Sequence, residues 1–217
     1  PALARKIGHD IITASGRTLL GADDKAGVAI VMTLVERLIG GVPHGPVSIA
    51  FTTDEEIGHG ADGFDLAAFG AVAAYTLDGG EAGEIEAENF HADGVTVTFT
   101  GFNTHPGYAK GKMANALRAL GHFLATLPAD VSPERTSDRE GFIHPHTAGG
   151  GVERASVQLI LRDFDLDAVD GHAARVAALA ADAAARVPGV SVRVDRVEQY
   201  RNMRERLAED PHVAAFA

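Results

Sequence analysis

Val47-Ser48-Ile49-Ala50-Phe51-Thr52-Thr53-Asp54-Glu55-Glu56-Ile57-Gly58 is the stretch whose reading decides the fold. Its first residues form an apolar run that reads as a buried strand, and the run ends in three consecutive carboxylates. Adjacent acids at the end of a core strand repel one another, and burial would raise their pKa values unless cations keep them ionised. A solvated acidic turn is the simpler account of one isolated triplet. Two further acidic clusters also follow apolar segments here, Gly21-Ala22-Asp23-Asp24-Lys25-Ala26-Gly27 and Leu77-Asp78-Gly79-Gly80. Carboxylates at successive strand ends converge on one edge of an α/β sheet, where such folds place their sites. That constellation predicts a metal site.

Outward from this stretch, Val28, Val31, Met32, Val35 and Leu38 recur at helical spacing and predict a helix over 25–39. Asp23 or Asp24 then stands at the helix N-terminus, where one carboxylate can cap and the other is left over. Gly40, Gly41 and Pro43 close that helix. A strand over 46–52, a short helix over 64–69 and a second apolar strand over 71–77 complete a pattern expected of a parallel sheet with helices on its faces.

The character changes near residue 90. Val95-Thr96-Val97-Thr98-Phe99-Thr100 alternates apolar and hydroxylic residues, as a half-buried antiparallel strand does. A helix over 112–127, strands over 141–146 and 152–162, an Ala-rich helix over 165–187 and a strand over 190–197 follow. The order β-α-β-β-α-β predicts a ferredoxin-like domain with its helices on one face of an antiparallel sheet. The expected division is 1–89 for part of a catalytic domain, 90–200 for an inserted lid or dimerisation domain, and 201–217 for a helical return into the first.

The formal net charge of −11 over 217 residues argues against nucleic acid or an anionic membrane as partner. No apolar run reaches the ~18 residues of a membrane span. With no cysteine, disulfides and thiolate metal sites are excluded, which fits a cytoplasmic chain or a disulfide-free secreted one, and a cytoplasmic location is the expectation. The sequence has no Gly-x-Ser-x-Gly elbow, no P-loop and no His-Glu-x-x-His.

Two divalent metals close together need a bridging carboxylate, terminal ligands and a base for the shared water. Asp23, at a loop-to-helix junction, is the choice for the bridge, and Glu56 and Asp78 for terminal ligands, one on each metal. Glu55 suits the general base, and Asp54 should face away from it. A carboxylate-only set also suits magnesium, so these residues separate the metals weakly. In Thr104-His105-Pro106-Gly107 a proline turn presents the imidazole outward instead of packing it.

The three acidic segments, together with Thr104-His105-Pro106-Gly107-Tyr108-Ala109-Lys110-Gly111-Lys112-Met113, Arg139-Glu140-Gly141-Phe142 and Arg162-Asp163-Phe164-Asp165, resemble the tripeptide aminopeptidases of the peptidase T type. These belong to the dinuclear zinc aminopeptidase and carboxypeptidase family. The motifs occur in matching order along essentially the whole chain. The resemblance implies a catalytic α/β domain with two zinc ions, interrupted by a smaller lid, that removes the N-terminal residue of short peptides. It places the bridging ligand on Asp23, terminal ligands on Glu56 and Asp78, and the general base on Glu55. The substrate contacts fall on His105, for the carbonyl oxygen, and Arg162, for the carboxylate end. It also implies a cis peptide after Asp23 and a homodimer through the lid. An Arg forking onto a carboxylate and an imidazolium beside an oxyanion agree with ordinary chemistry.

Two of the family's ligands have no counterpart here, an upstream His-x-Asp and a downstream His, so the chain reads as an internal fragment that binds metal weakly and turns over nothing by itself. A related carboxypeptidase or acyl-amino-acid deacylase, or a non-catalytic dimerising fragment, are the alternative readings. His59 could replace a ligand, and His144 and His146 could form a surface metal site, but solvated histidines account for all three more simply.

Overall fold

A computed structural model describes residues 2–78 and 83–216. Gly79 and Gly80, which complete the third acidic segment, lie outside the described residues. The chain divides into two compact units, 1–85 with 215–217, and 86–214.

The second unit is built as the alternation predicts. Strands β1 (His91–Thr100), β2 (Phe142–Gly150), β3 (Arg154–Asp163) and β4 (Ser191–Tyr200) form one antiparallel sheet in the order β2-β3-β1-β4. Helix α3 (Ala116–Thr126) connects β1 to β2 and α4 (Leu166–Ala185) connects β3 to β4, which is the β-α-β-β-α-β arrangement. One face of the sheet meets the helices. Register pairs Val95 with Leu159, Val97 with Val157 and Phe99 with Ala155, and these six are buried with Phe123, Val169 and Val176 from the helices. Phe99 and Phe123 meet with ring centroids 6.0 Å apart. Each large side chain so buried contributes about 1.5–3 kcal/mol.

Local chemistry sets the helix ends. Helix α3 starts at Ala116, later than the expected 112, because the Ala114 N–H and carbonyl are both engaged by Phe102 at 2.9 and 2.8 Å. Asn115 then caps it, accepting from the Leu117 N–H at 3.0 Å. Asp165 caps α4 in the same way, accepting from the Asp167 N–H at 2.9 Å. The segments entering and leaving this unit are strapped together by side chains. The Asn202 N–H donates to His91 Nδ1 at 3.2 Å, and the Met203 N–H donates to Asn89 Oδ1 at 2.7 Å. Neighbouring entry and exit are what an inserted domain requires.

Asp93 places a carboxyl on the apolar face, with 0% of its surface exposed. Arg201 donates to it at 2.7 Å and Arg196 at 2.5 Å. Burial raises its pKa, but the bonds from Arg201 and Arg196 outweigh that and hold the carboxyl below the usual carboxylate range.

The first unit differs from expectation. Helix α1 (Ala22–Ile39) and the short α2 (Leu66–Phe69) form, but 46–52 and 71–77 have no strand and no ladder partner among the described residues, and 72–73 form a bend. The described residues of this unit therefore form no parallel sheet. Val47, Phe51 and Tyr75 are half-exposed and Val72 fully so, which corrects the expectation of buried strands. An apolar run becomes a sheet strand only where a neighbouring strand takes its N–H and C=O groups. The tail forms two short helices, α5 (Arg204–Glu209) and α6 (His212–Phe216). No helix among the described residues is long and apolar enough to cross a membrane.

Candidate active site

The first turn of α1 carries the acidic doublet. Asp23 and Asp24 have non-helical backbone angles and are joined by a cis peptide. Asp24 Oδ1 accepts from the Gly27 N–H at 2.8 Å, so this residue acts as the helix cap. Gly27 is the one buried residue of the helix. A Cβ there would run into the Leu77 carbonyl oxygen and the Asp24 carboxylate. Only glycine permits the end of the 71–77 segment to approach the helix start this closely.

That approach assembles the cluster. Asp23, Asp24 and Asp78 each offer a carboxylate oxygen within 4.8 Å of the others. Desolvation against neighbouring atoms, and then the charges of Asp23 and Asp24, raise the Asp78 carboxyl above the usual range. All three side chains are open to solvent, so the mutual repulsion is what a bound cation would reverse. Three convergent hard oxygen donors fit a divalent cation.

Asp23 and Asp78, expected as ligands, are thus brought together, and Asp24 joins them. Glu56 lies outside this group of three. Glu55 and Glu56 occupy a 3-10 turn, Glu55–Ile57, entered through Asp54 in the left-handed region at φ 62°. The turn closes with the Gly58 N–H on the Glu55 carbonyl at 2.7 Å. A Cβ on Gly60 would sit 3.2 Å from the Glu55 Cβ, so the following loop folds back over Glu55. His59 contacts Asp62 at 2.7 Å, which engages one of its ring nitrogens.

In the second unit, His105 stands at the start of a one-turn 3-10 helix, Pro106–Tyr108. Its Nδ1 accepts from the Gly107 N–H at 3.1 Å, which leaves Nε2 of the exposed ring to carry the proton and donate outward. The Tyr108 ring lies 5.6 Å away, centroid to centroid. Arg162 projects from β3 on the sheet face opposite the helices. Its guanidinium lies 5.9 Å from the Phe142 ring and 5.8 Å from the Tyr200 ring. Arg162 Nε is buried without a hydrogen-bond partner, and among the described residues no carboxylate pairs with the side chain. His144 and His146 sit side by side on β2 with ring centroids 6.1 Å apart.

The sequence reading left either Asp23 or Asp24 as the cap, and the structure assigns Asp24. Phe142 and Tyr200 carried no signal as a pair, because their meeting with Arg162 depends on strand register.

Comparison with known proteins adds the lineage. The family model described as a peptidase dimerisation domain matches residues 87–188. A peptidase T of Serratia proteamaculans is 47% identical over 219 aligned residues, covering 100% of this chain and 54% of that protein. A peptidase T of Exiguobacterium is 45% identical, covering 98% of this chain and 52% of that protein. The chain therefore spans about half the length of the curated relatives it matches. Among solved structures, an aminopeptidase PepT from Bacillus cereus superposes with a TM-score of 0.69 at 24% identity, over 88% of this chain and 52% of that one. A tripeptidase from Staphylococcus aureus gives 0.74 at 18% identity over the same shares. At those identities the likeness shows the fold alone. The chain is similar to peptidase T along its whole length, matching about half of that protein, and its residues 87–188 match the peptidase dimerisation domain family.

Proposed function

We propose that this chain carries part of the machinery of a tripeptide aminopeptidase, which hydrolyses the N-terminal residue from short peptides in the cytoplasm. The observation that carries the reading is the convergence of Asp23 and Asp78, with Asp24, from segments far apart in sequence, in a chain similar to peptidase T from end to end.

The carboxylates of Asp23 and Asp78, with Glu56 from the neighbouring turn, are proposed to hold two zinc ions. Zinc, when bound, supplies positive charge that polarises a carbonyl and makes water easier to deprotonate. Glu55 takes the proton from the attacking water and later delivers it to the leaving amine. His105, with Nδ1 tied to the Gly107 N–H, donates from Nε2 to the carbonyl oxygen as negative charge grows on it. Arg162 receives the carboxylate end of the peptide through its forked N–H groups. The dimerisation domain over 87–188 supports a homodimer formed through that unit.

In a protein spanning the full length of the peptidase T relatives, the Glu55→Gln variant is expected to lose hydrolysis of a free tripeptide while retaining its metal, measured by turnover and by atomic absorption. A free tripeptide should be cleaved and an N-acylated one should not. Retained activity in Glu55→Gln would remove that residue from the mechanism. Preferential cleavage of the acylated peptide would move the protein to the deacylases.

A further inference from the structure

One transverse row on the open face of the sheet has a composition that the fold alone does not require. Register sets Phe142 of β2 opposite Arg162 of β3, Arg162 opposite Ala92 of β1, and Ala92 opposite Tyr200 of β4. The β1–β4 pairing carries a bulge at this point. Asp93 pairs with Glu198 but Ala92 pairs with Tyr200, so Gln199 is the extra residue. Without the bulge Gln199 would stand opposite Ala92. A bulge re-aims side chains, and here it brings a ring in line with Arg162.

Ala92 is 0% exposed although it lies on the face away from the helices. Its methyl group leaves room for the neighbouring side chains to meet over β1, where the Arg162 guanidinium lies 5.8 Å from the Tyr200 ring centroid. On the other side the Phe142 ring lies 5.9 Å from it. Phe142 is itself fixed by Phe90, at 5.7 Å with a T-shaped angle of 67°. Both separations fall within the ≈ 6 Å over which a cation is attracted to a ring face.

Several of the partly buried arginines near this row have acids. Arg139 and Arg204 meet Glu88, and Arg196 and Arg201 share Asp93. Arg162 has none among the described residues, and its buried Nε lacks any acceptor. A buried donor left unmade is unfavourable, and with no acid beside it this guanidinium is kept in place by something other than a counter-ion. A ring face attracts the cation without using its N–H groups, whereas a carboxylate would occupy the fork.

We propose that Phe142 and Tyr200 are positioning residues, which hold the Arg162 guanidinium between two aromatic rings in place of an acid so that its fork stays open for the α-carboxylate of a short peptide. This rests on the reading of Arg162 as the residue that receives that carboxylate. The bulge at Ala92 and the small side chain there are the structural means of bringing Tyr200 to it.

The test uses the 217-residue chain, labelled with ¹⁵N-arginine and kept in chelator so that nothing is hydrolysed. The Arg162→Lys variant assigns the Arg162 Nε–H resonance, and the Arg196 Nε–H, bonded to Asp93, reports that the sheet is intact. Trialanine should shift the Arg162 resonance and trialanine amide should not. Tyr200→Leu and Phe142→Leu should each weaken trialanine binding about fivefold, the loss of one cation–ring contact. Tyr200→Phe, which keeps the ring, should bind as the wild type does. If trialanine leaves the wild-type resonance unmoved, the carboxylate reading of Arg162 fails and takes this inference with it. If trialanine binds the wild type, but also both leucine variants with equal affinity and an unmoved Arg196 signal, only the positioning role is overturned.

Discussion

Replacing Asp93 by Asn removes a buried charge of the second unit and should reduce the stability of that unit by about 2 kcal/mol. The figure follows from the local exposure. Breaking a fully buried ion pair by removing one partner costs about 3–5 kcal/mol. The Asp93 side chain is 1% exposed, but those of Arg196 and Arg201 are 35% and 30% exposed. Arg196 also keeps Asp170 at 2.5 Å and Arg201 keeps Glu198 at 2.8 Å. The released guanidiniums therefore rehydrate and retain acids, and the cost falls towards about 2 kcal/mol. Hydrogen exchange of the Val97 and Val157 amides, in the two central strands, reads this as roughly thirtyfold faster global opening at neutral pH. The pH dependence has a definite sign. Because the folded Asp93 carboxyl titrates below its unfolded value, the unfolded chain binds the proton first as pH falls. The stabilisation is complete above the ordinary carboxylate range and is lost as pH drops through the lowered folded value. Wild type and Asp93→Asn should converge in stability towards acid pH. Equal exchange rates at neutral pH, or a difference between the two proteins that does not shrink on acidification, would refute the reasoning.

Gly27→Ala should disrupt the carboxylate cluster, since the new Cβ meets the Leu77 carbonyl oxygen and the Asp24 carboxylate. Calorimetric titration with zinc should show binding at least about tenfold weaker than wild type, an ion-binding loss of roughly 1.4 kcal/mol or more. Phe123→Ala removes a ring with 0% exposure and should cost about 3–5 kcal/mol, seen in urea unfolding followed by far-UV circular dichroism. Asp165→Ala removes the cap of the long helix α4 and should cost about 1 kcal/mol in the same assay, whereas Asp165→Asn should cost much less.

The second unit is legible from sequence because its elements carry their own partners. Thr96, Thr98 and Thr100 alternating with Val95, Val97 and Phe99 announce a two-faced strand, and every strand of that sheet lies within 91–200. The same reasoning fails over 46–52 and 71–77. Their apolar character is plain, yet no ladder forms among the described residues, because a strand is defined by the neighbour that completes its hydrogen bonds.

The sequence by itself determined the order of elements after residue 90, the acidic segments and the turn that presents His105, since each is a local matter of periodicity, charge and backbone restriction. Tertiary structure alone decided which acids meet. Asp24 caps its helix while joining Asp23 and Asp78, and Gly27 permits that approach. It alone also decided that Arg162 stands between Phe142 and Tyr200, an arrangement set by strand register and a one-residue bulge. The reason is that side-chain proximity across a sheet depends on pairing distant in sequence, which no local pattern encodes.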